Sequence, residues 1–111
     1  MANHYYDAKD LKKFKNVTEW QEELGNKFFD WYGAVFKEGA LTEREKTLIA
    51  LAVSHAVKCP YCIDAYTNSA VKKGVEEPEM MEAVHVASAI AGGAVLVHGV
   101  QMMNKAEELL M

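Results

Sequence analysis

The residues of this chain best suited to chemistry are Cys59 and Cys62, set two apart in the run Cys59-Pro60-Tyr61-Cys62. Proline cannot continue a helix interior but fits the first turn, so Pro60 reads as the opening of a new helix. Two cysteines with this spacing on a first turn bring their sulfurs within reach of a disulfide. The N–H groups and the dipole of that turn stabilise a thiolate, lowering a thiol pKa from about 8.5 into a range of about 3.5–7.5. A thiolate is the nucleophile of disulfide exchange and of attack on peroxides. Two bland alternatives stand beside this reading: inert cysteines in a core, and zinc. For zinc, which takes four ligands, the chain offers only His4, His55, His85 and His98 besides the cysteines. Haem attachment needs histidine directly after the second cysteine, where Ile63 stands.

Neighbouring residues offer proton transfer. His55 lies four residues before Cys59, one turn back on a helix, and can accept or relay a thiol proton or serve as an ordinary helix histidine. Tyr66 lies four residues after Cys62 and can give a hydrogen bond to a peroxide oxygen, or be a core aromatic. Glu45 is a helix cap or, failing that, a relay carboxylate. His85 and His98 flank Gly92-Gly93 and can face a cavity or a subunit contact. The Met80-Met81 and Met102-Met103 pairs and Trp20, Phe28, Phe29, Trp31 and Phe36 read as packing. Lys12-Lys13-Phe14-Lys15 reads as a short solvated face.

These residues must be held by helices. Asp7 to Phe14 suits a short helix. Thr18 and Gln21 form a capping-box pattern that opens a helix to about Lys37, with Leu24, Phe28, Trp31, Tyr32 and Val35 on one face and Gly39 as its C-cap. Thr42 and Glu45 repeat the box ahead of Leu48–Val53, which is apolar all round and calls for burial. The helix from Pro60 is expected to stop at Gly74. Pro78 opens another through Ile90, and Gly92-Gly93 divides it from a last helix ending near Leu110. No segment alternates like a strand. The expected class is all-α, a single domain over residues 1–111 with five or six helices.

Composition narrows the function. Of 111 residues, 50% are hydrophobic and the net charge is −4. Such a chain is not disordered, and without a basic run it lacks the footprint of a nucleic-acid or anionic-membrane partner. Two cysteines do not make a secreted disulfide scaffold, and the polar start from Met1 to Lys13 predicts a cytoplasmic protein without a signal peptide. Ala83 to Met103 carries no charge over 21 residues, long enough to span a bilayer. Its His85, Ser88, His98, Gln101 and glycine pair favour two buried helices over a membrane span. One small copy hides so long a stretch poorly, which predicts an oligomer.

The run LTEREKTLIALAVSHAVKCPYCIDAY, from Leu41 to Tyr66, resembles the carboxymuconolactone decarboxylase and alkylhydroperoxidase D-like family, with a likeness reaching from Trp31 to Met103. The cysteine run, with His55 before it and Met80–Ala87 after it, looks most similar to a subgroup called arsenosugar biosynthesis-associated peroxidase-like proteins. The resemblance implies an all-α fold assembled as a homotrimer or homohexamer and a thiol peroxidase without cofactor or metal. It further implies that Cys62 attacks a hydroperoxide substrate, Cys59 resolves it as a disulfide, and an external dithiol resets the pair. Thr47 and Tyr66 stand where the alkylhydroperoxidase D pattern has its relay glutamate and histidine, and Tyr61 replaces a second histidine. Either a relay comes from another side, from His55 with Glu45 or His98, or the peroxidase activity is weak. The lactone decarboxylases of the family lack the cysteine pair, so their activity is not implied. The alternatives are a non-catalytic helical oligomer with a zinc-bound or structural cysteine pair, and an arsenical-handling thiol protein.

Overall fold

Start and stop signals in the sequence place most helix boundaries in the computed structural model, which describes residues 7–111. A 3₁₀ segment, Ala8–Thr18, leads into α1 (Glu22–Val35), α2 (Glu43–Ala56), α3 (Pro60–Lys72), α4 (Glu77–Val97) and α5 (Gly99–Leu110). Among the described residues there is no strand. His4 lies outside the described residues.

Two boundaries are where local chemistry puts them. The Thr42–Glu45 box closes in both directions, Glu45 N–H donating to Thr42 Oγ1 at 3.0 Å and Thr42 N–H to Glu45 Oε1 at 2.8 Å. At the end of α3, Gly74 takes φ +77°, the left-handed turn glycine favours. There Val75 N–H reaches Ala70 O and Gly74 N–H reaches Val71 O, both at 3.0 Å, the paired bonds of a Schellman cap.

Three expectations are corrected. Thr18 does not cap α1: its hydroxyl donates back to Lys15 O at 2.9 Å, and Gln21 holds the cap position without a side-chain bond. Gly39 is not the cap of α1 either. Lys46 Nζ supplies the donors, bonding Val35 O at 2.8 Å and Lys37 O at 2.6 Å. Most consequential, Gly92-Gly93 does not divide the last helices. Glycine costs a helix interior about 1 kcal/mol but, unlike proline, removes no hydrogen bond. The helix therefore runs through the pair, and the interruption falls at His98.

The turn from α2 into α3 aims the cysteines. Cys59 N–H bonds Ser54 O at 3.0 Å and Lys58 N–H bonds His55 O at 3.2 Å, a second Schellman cap whose left-handed residue is Lys58, φ 57°. A side chain in that region costs about 1–2 kcal/mol. Lys58→Gly is accordingly expected to stabilise the protein by about 0.5–1 kcal/mol after glycine's own entropy is deducted, read by denaturant titration. A loss of stability would show that the lysine side chain contributes more than its backbone costs.

α2 packs between α3 and α4, and Arg44 Nη2 on α2 holds both carboxylate oxygens of Glu79 on α4 at 2.6 and 2.7 Å. The core of one chain is small: Leu51, Ala70 and Val75, with the hydroxyls of Thr47 and Ser54 bonded to carbonyls of their own helix. Ile49 and Val53, expected inside, are about half exposed at 49% and 51%. The chain exposes 9054 Å², against about 6,100 Å² for a compact monomer of this mass. Its radius of gyration is 18.9 Å, where about 13 Å is usual for this length. Much of the excess lies on α4 and α5, where Ile90 and Leu96 are 71% and 81% exposed, and part on the N-terminal side, where Trp20 and Trp31, expected in packing, are 84% and 63% exposed. Taken through His98, Glu77–Leu110 is a 34-residue helix, long and apolar enough by composition to cross a membrane.

Candidate active site

Cys59 is the N-cap of α3 and Pro60 its first residue, so the cysteine pair occupies the first turn as the proline predicts. A disulfide joins Cys59 and Cys62, whose Cα atoms lie 5.2 Å apart. Cys62 N–H points at Cys59 Sγ, 3.2 Å away. In the reduced state this donor and the helix dipole both act on the Cys59 sulfur and favour its thiolate. Cys62, at the third helical position, stands in the same field.

Both cysteines open onto a groove of about 910 Å³, walled by the 3₁₀ segment, α1 and the start of α3. Tyr66 lines the groove with them, one turn along α3 from Cys62. Its hydroxyl is hydrogen-bonded to that of Tyr32 on α1. Burial and this bond to Tyr32 push the Tyr66 phenol well above its ordinary value, so it keeps its proton and serves as a donor rather than a base. Tyr66 also stacks on Phe36 at 5.3 Å. On the far side of the tyrosine pair is a smaller cavity of about 270 Å³, bordered by Tyr32, Tyr66, Glu43, Thr47, Ser69 and Lys73. The hydroxyl pair is thus the partition between the groove and a cavity with an acidic side chain.

The other residues singled out from the sequence lie elsewhere. His55 is on α2, where Nδ1 bonds Leu51 O at 2.8 Å and must be the protonated nitrogen. The left-handed turn at Lys58 separates His55 from Cys59, so the same-face spacing of a single helix does not apply, and His55 does not line the groove. Glu45 is engaged in the cap of α2, its carboxyl held below the ordinary range by the Thr42 N–H. It sits near the opposite end of α2, about 16 Å of rise from the turn that leads to Cys59. His85 and His98 are exposed on the α4–α5 arm, His98 Nδ1 bonding Ala94 O at 2.5 Å. Among the described residues no group of three His, Cys, Asp or Glu side chains is placed to hold a metal ion.

Tyr32 is the residue sequence reasoning missed, read only as part of an apolar face. Its partner is 34 positions away, and no local pattern joins them. The lysine run is the second. Lys12, Lys13 and Lys15 stand on a wall of the groove rather than on an indifferent face.

A model of the carboxymuconolactone decarboxylase family matches residues 22–105. The chain belongs to the carboxymuconolactone decarboxylase family. An uncharacterised protein of the cox locus of Paracoccus denitrificans is 37% identical over 75 residues, covering 68% of each chain. A crystal structure of a Methanobacterium thermoautotrophicum protein is similar over 86% of this chain and 99% of its own, at 36% identity and TM-score 0.69. A second, from Thermotoga maritima, covers 88% and 93% at 27% identity and TM-score 0.59. For a carboxymuconolactone decarboxylase family member, the all-helical architecture agrees with the alkylhydroperoxidase D-like fold expected from the cysteine run. Thr47 and Tyr66, the two positions where the resemblance leads one to expect a relay glutamate and histidine, both line one cavity.

Proposed function

We propose that this protein is a thiol-dependent peroxidase that reduces hydroperoxides through Cys62 and Cys59. The observation that carries the reading is the cysteine pair on the first turn of α3, joined as a disulfide and open to a groove that also holds a protonated tyrosine. Cys62 thiolate attacks the terminal peroxide oxygen, the O–O bond breaks, and the leaving alkoxide takes a proton to become an alcohol. Tyr66, backed by Tyr32 and lining the groove with the cysteines, donates to that oxygen, and the cavity beside Glu43 is the route by which the proton is replaced. Cys59 thiolate then attacks the sulfur of the Cys62 sulfenic acid, forming the disulfide and expelling hydroxide, which takes a proton from solvent to become water. An external dithiol reduces the disulfide by exchange and leaves as its own disulfide. The helix-cap bond to the Cys59 sulfur suits the resolving step, which needs a thiolate there. No resident cofactor or metal enters this cycle.

The reduced protein is expected to lose both thiols for each equivalent of organic hydroperoxide added, with one equivalent of alcohol formed. Thiol titration and product analysis read the two numbers. Thiols that survive excess hydroperoxide would exclude the reading and return the pair to a structural, zinc-binding or arsenical-binding role. We further propose that the exposed α4–α5 face is covered by other copies of the chain, as a trimer or hexamer in the cytoplasm.

A further inference from the structure

The groove over the redox pair has two chemically different sides. Its floor is apolar and aromatic, with Phe29, Tyr32, Ala65 and Tyr66 beside the cysteines. The opposite wall is the 3₁₀ segment, where Leu11, Phe14 and Val17 alternate with Lys12, Lys13 and Lys15 and with one carboxylate, Asp10. Asp10 is taken by Lys13 at 3.3 Å. The side chains of Lys12 and Lys15 make no ion pair with any described residue. The chain as a whole carries a net charge of −4, so this cationic wall runs against the overall charge and attracts anions to the groove specifically.

The end of the 3₁₀ segment sits close against α1. Gly25 of α1 lies under the 3₁₀ segment, where an added Cβ would stand 2.9 Å from the Thr18 Cα and 2.7 Å from its Cβ. Hydrogen peroxide or a short alkyl hydroperoxide needs neither an apolar groove of about 910 Å³ nor cations on its wall. A groove of this size matches an extended small molecule that buries most of its surface. An acidic peptide would use the lysines but leave the aromatic floor without a purpose.

We propose that the preferred substrates are hydroperoxides of anionic amphiphiles, of the long-chain carboxylate kind. The hydrocarbon lies along the aromatic floor, the carboxylate meets Lys12 and Lys15, and the peroxide group reaches Cys62. This rests on the peroxidase reading, but its binding half is testable without it.

Full-length reduced protein is mixed, with no reductant, with linoleic acid hydroperoxide or with its methyl ester, and thiol loss is followed by stopped flow. The acid is expected to react about five- to tenfold faster than the ester, the worth of two half-exposed charge contacts. In Lys12→Gln/Lys15→Gln the ratio falls towards one, and added salt acts in the same direction. Gly25→Ala, which displaces the wall without changing a charge, lowers the ratio too. In parallel, binding of dodecanoate and dodecanol is measured by tryptophan fluorescence. The wild type is expected to favour the carboxylate and the double variant to lose that preference.

Equal rates for acid and ester, with dodecanoate bound no better than dodecanol, would overturn the proposal. Thiols inert to every hydroperoxide, with the carboxylate preference intact and lost in the double variant, would sink the peroxidase reading and uphold the anion-selective groove. An unchanged acid-to-ester ratio in the double variant, with slower reduction of its disulfide by a protein dithiol, would assign the lysines to an acidic reductant and overturn it as well.

Discussion

Replacing Cys62 by serine is expected to lower hydroperoxide turnover by about a thousandfold or more, because a hydroxyl has no comparable nucleophilicity at neutral pH. Cys59→Ser should act differently. Attack and O–O cleavage still occur, so one equivalent of hydroperoxide is consumed and a sulfenic acid persists on Cys62, where a dimedone adduct and mass spectrometry locate it. Tyr66→Phe falls between them. It keeps the thiol stoichiometry and slows the oxidation step by about a hundredfold, the usual worth of a placed proton donor. The pH profile separates these roles. The rate rises with pH as the attacking thiol ionises, and it shows no fall near the ordinary phenol value, since burial and Tyr32 hold the Tyr66 proton above it. The cap bond from Cys62 N–H to the Cys59 sulfur serves a thiolate there in either order, attacking or resolving. If Cys59 attacks, the sulfenic acid appears in Cys62→Ser and is absent from Cys59→Ser. The same two variants therefore decide both the chemistry and the order.

What could be read from the sequence was what a few consecutive residues decide. Pro60 at the first turn of α3, the Thr42–Glu45 box and the glycine cap at Gly74 each depend on bonds spanning three to five positions. The cysteine pair belongs to this class, which is why its place on the first turn of α3 was visible. The failures share the opposite property. Thr18 carries the residues of a cap, yet the 3₁₀ segment reaches its hydroxyl first. The His55 argument assumed one continuous helix, and a left-handed lysine breaks it. Tyr32 gains its role from a partner on another helix, and the lysine run gains its role from the groove it happens to face. Thr47 and Tyr66, picked out by the resemblance as departures from its pattern, lie on one cavity. Which side chain would fill the gap depended on tertiary packing of α1 against α3.

Ile90→Glu, and independently Leu96→Glu, are expected to break the protein into smaller species or render it insoluble. A helix apolar all round is stable only when covered on every side, and in one chain both residues are largely bare. The chain exposes roughly 2,900 Å² beyond a compact monomer of its mass. A standard interface covers about 800 Å² per partner, so the excess is several such surfaces and calls for more than one neighbour, as a trimer or hexamer provides. Gly92 and Gly93 fit this reading. A Cβ built on either meets nothing within 4 Å in the single chain, and their small profile lets a neighbouring helix come close. A glutamate placed in such a contact buries an unpaired charge at a cost of several kcal/mol. Light scattering after size exclusion in detergent-free buffer makes the measurement, with Ile90→Leu as the control that keeps the wild-type mass. If Ile90→Glu keeps the wild-type mass and melting temperature, the face is not a subunit contact. If the wild type itself disperses only in detergent and partitions into vesicles, the continuous helix from Glu77 to Leu110 meets lipid instead of a second copy.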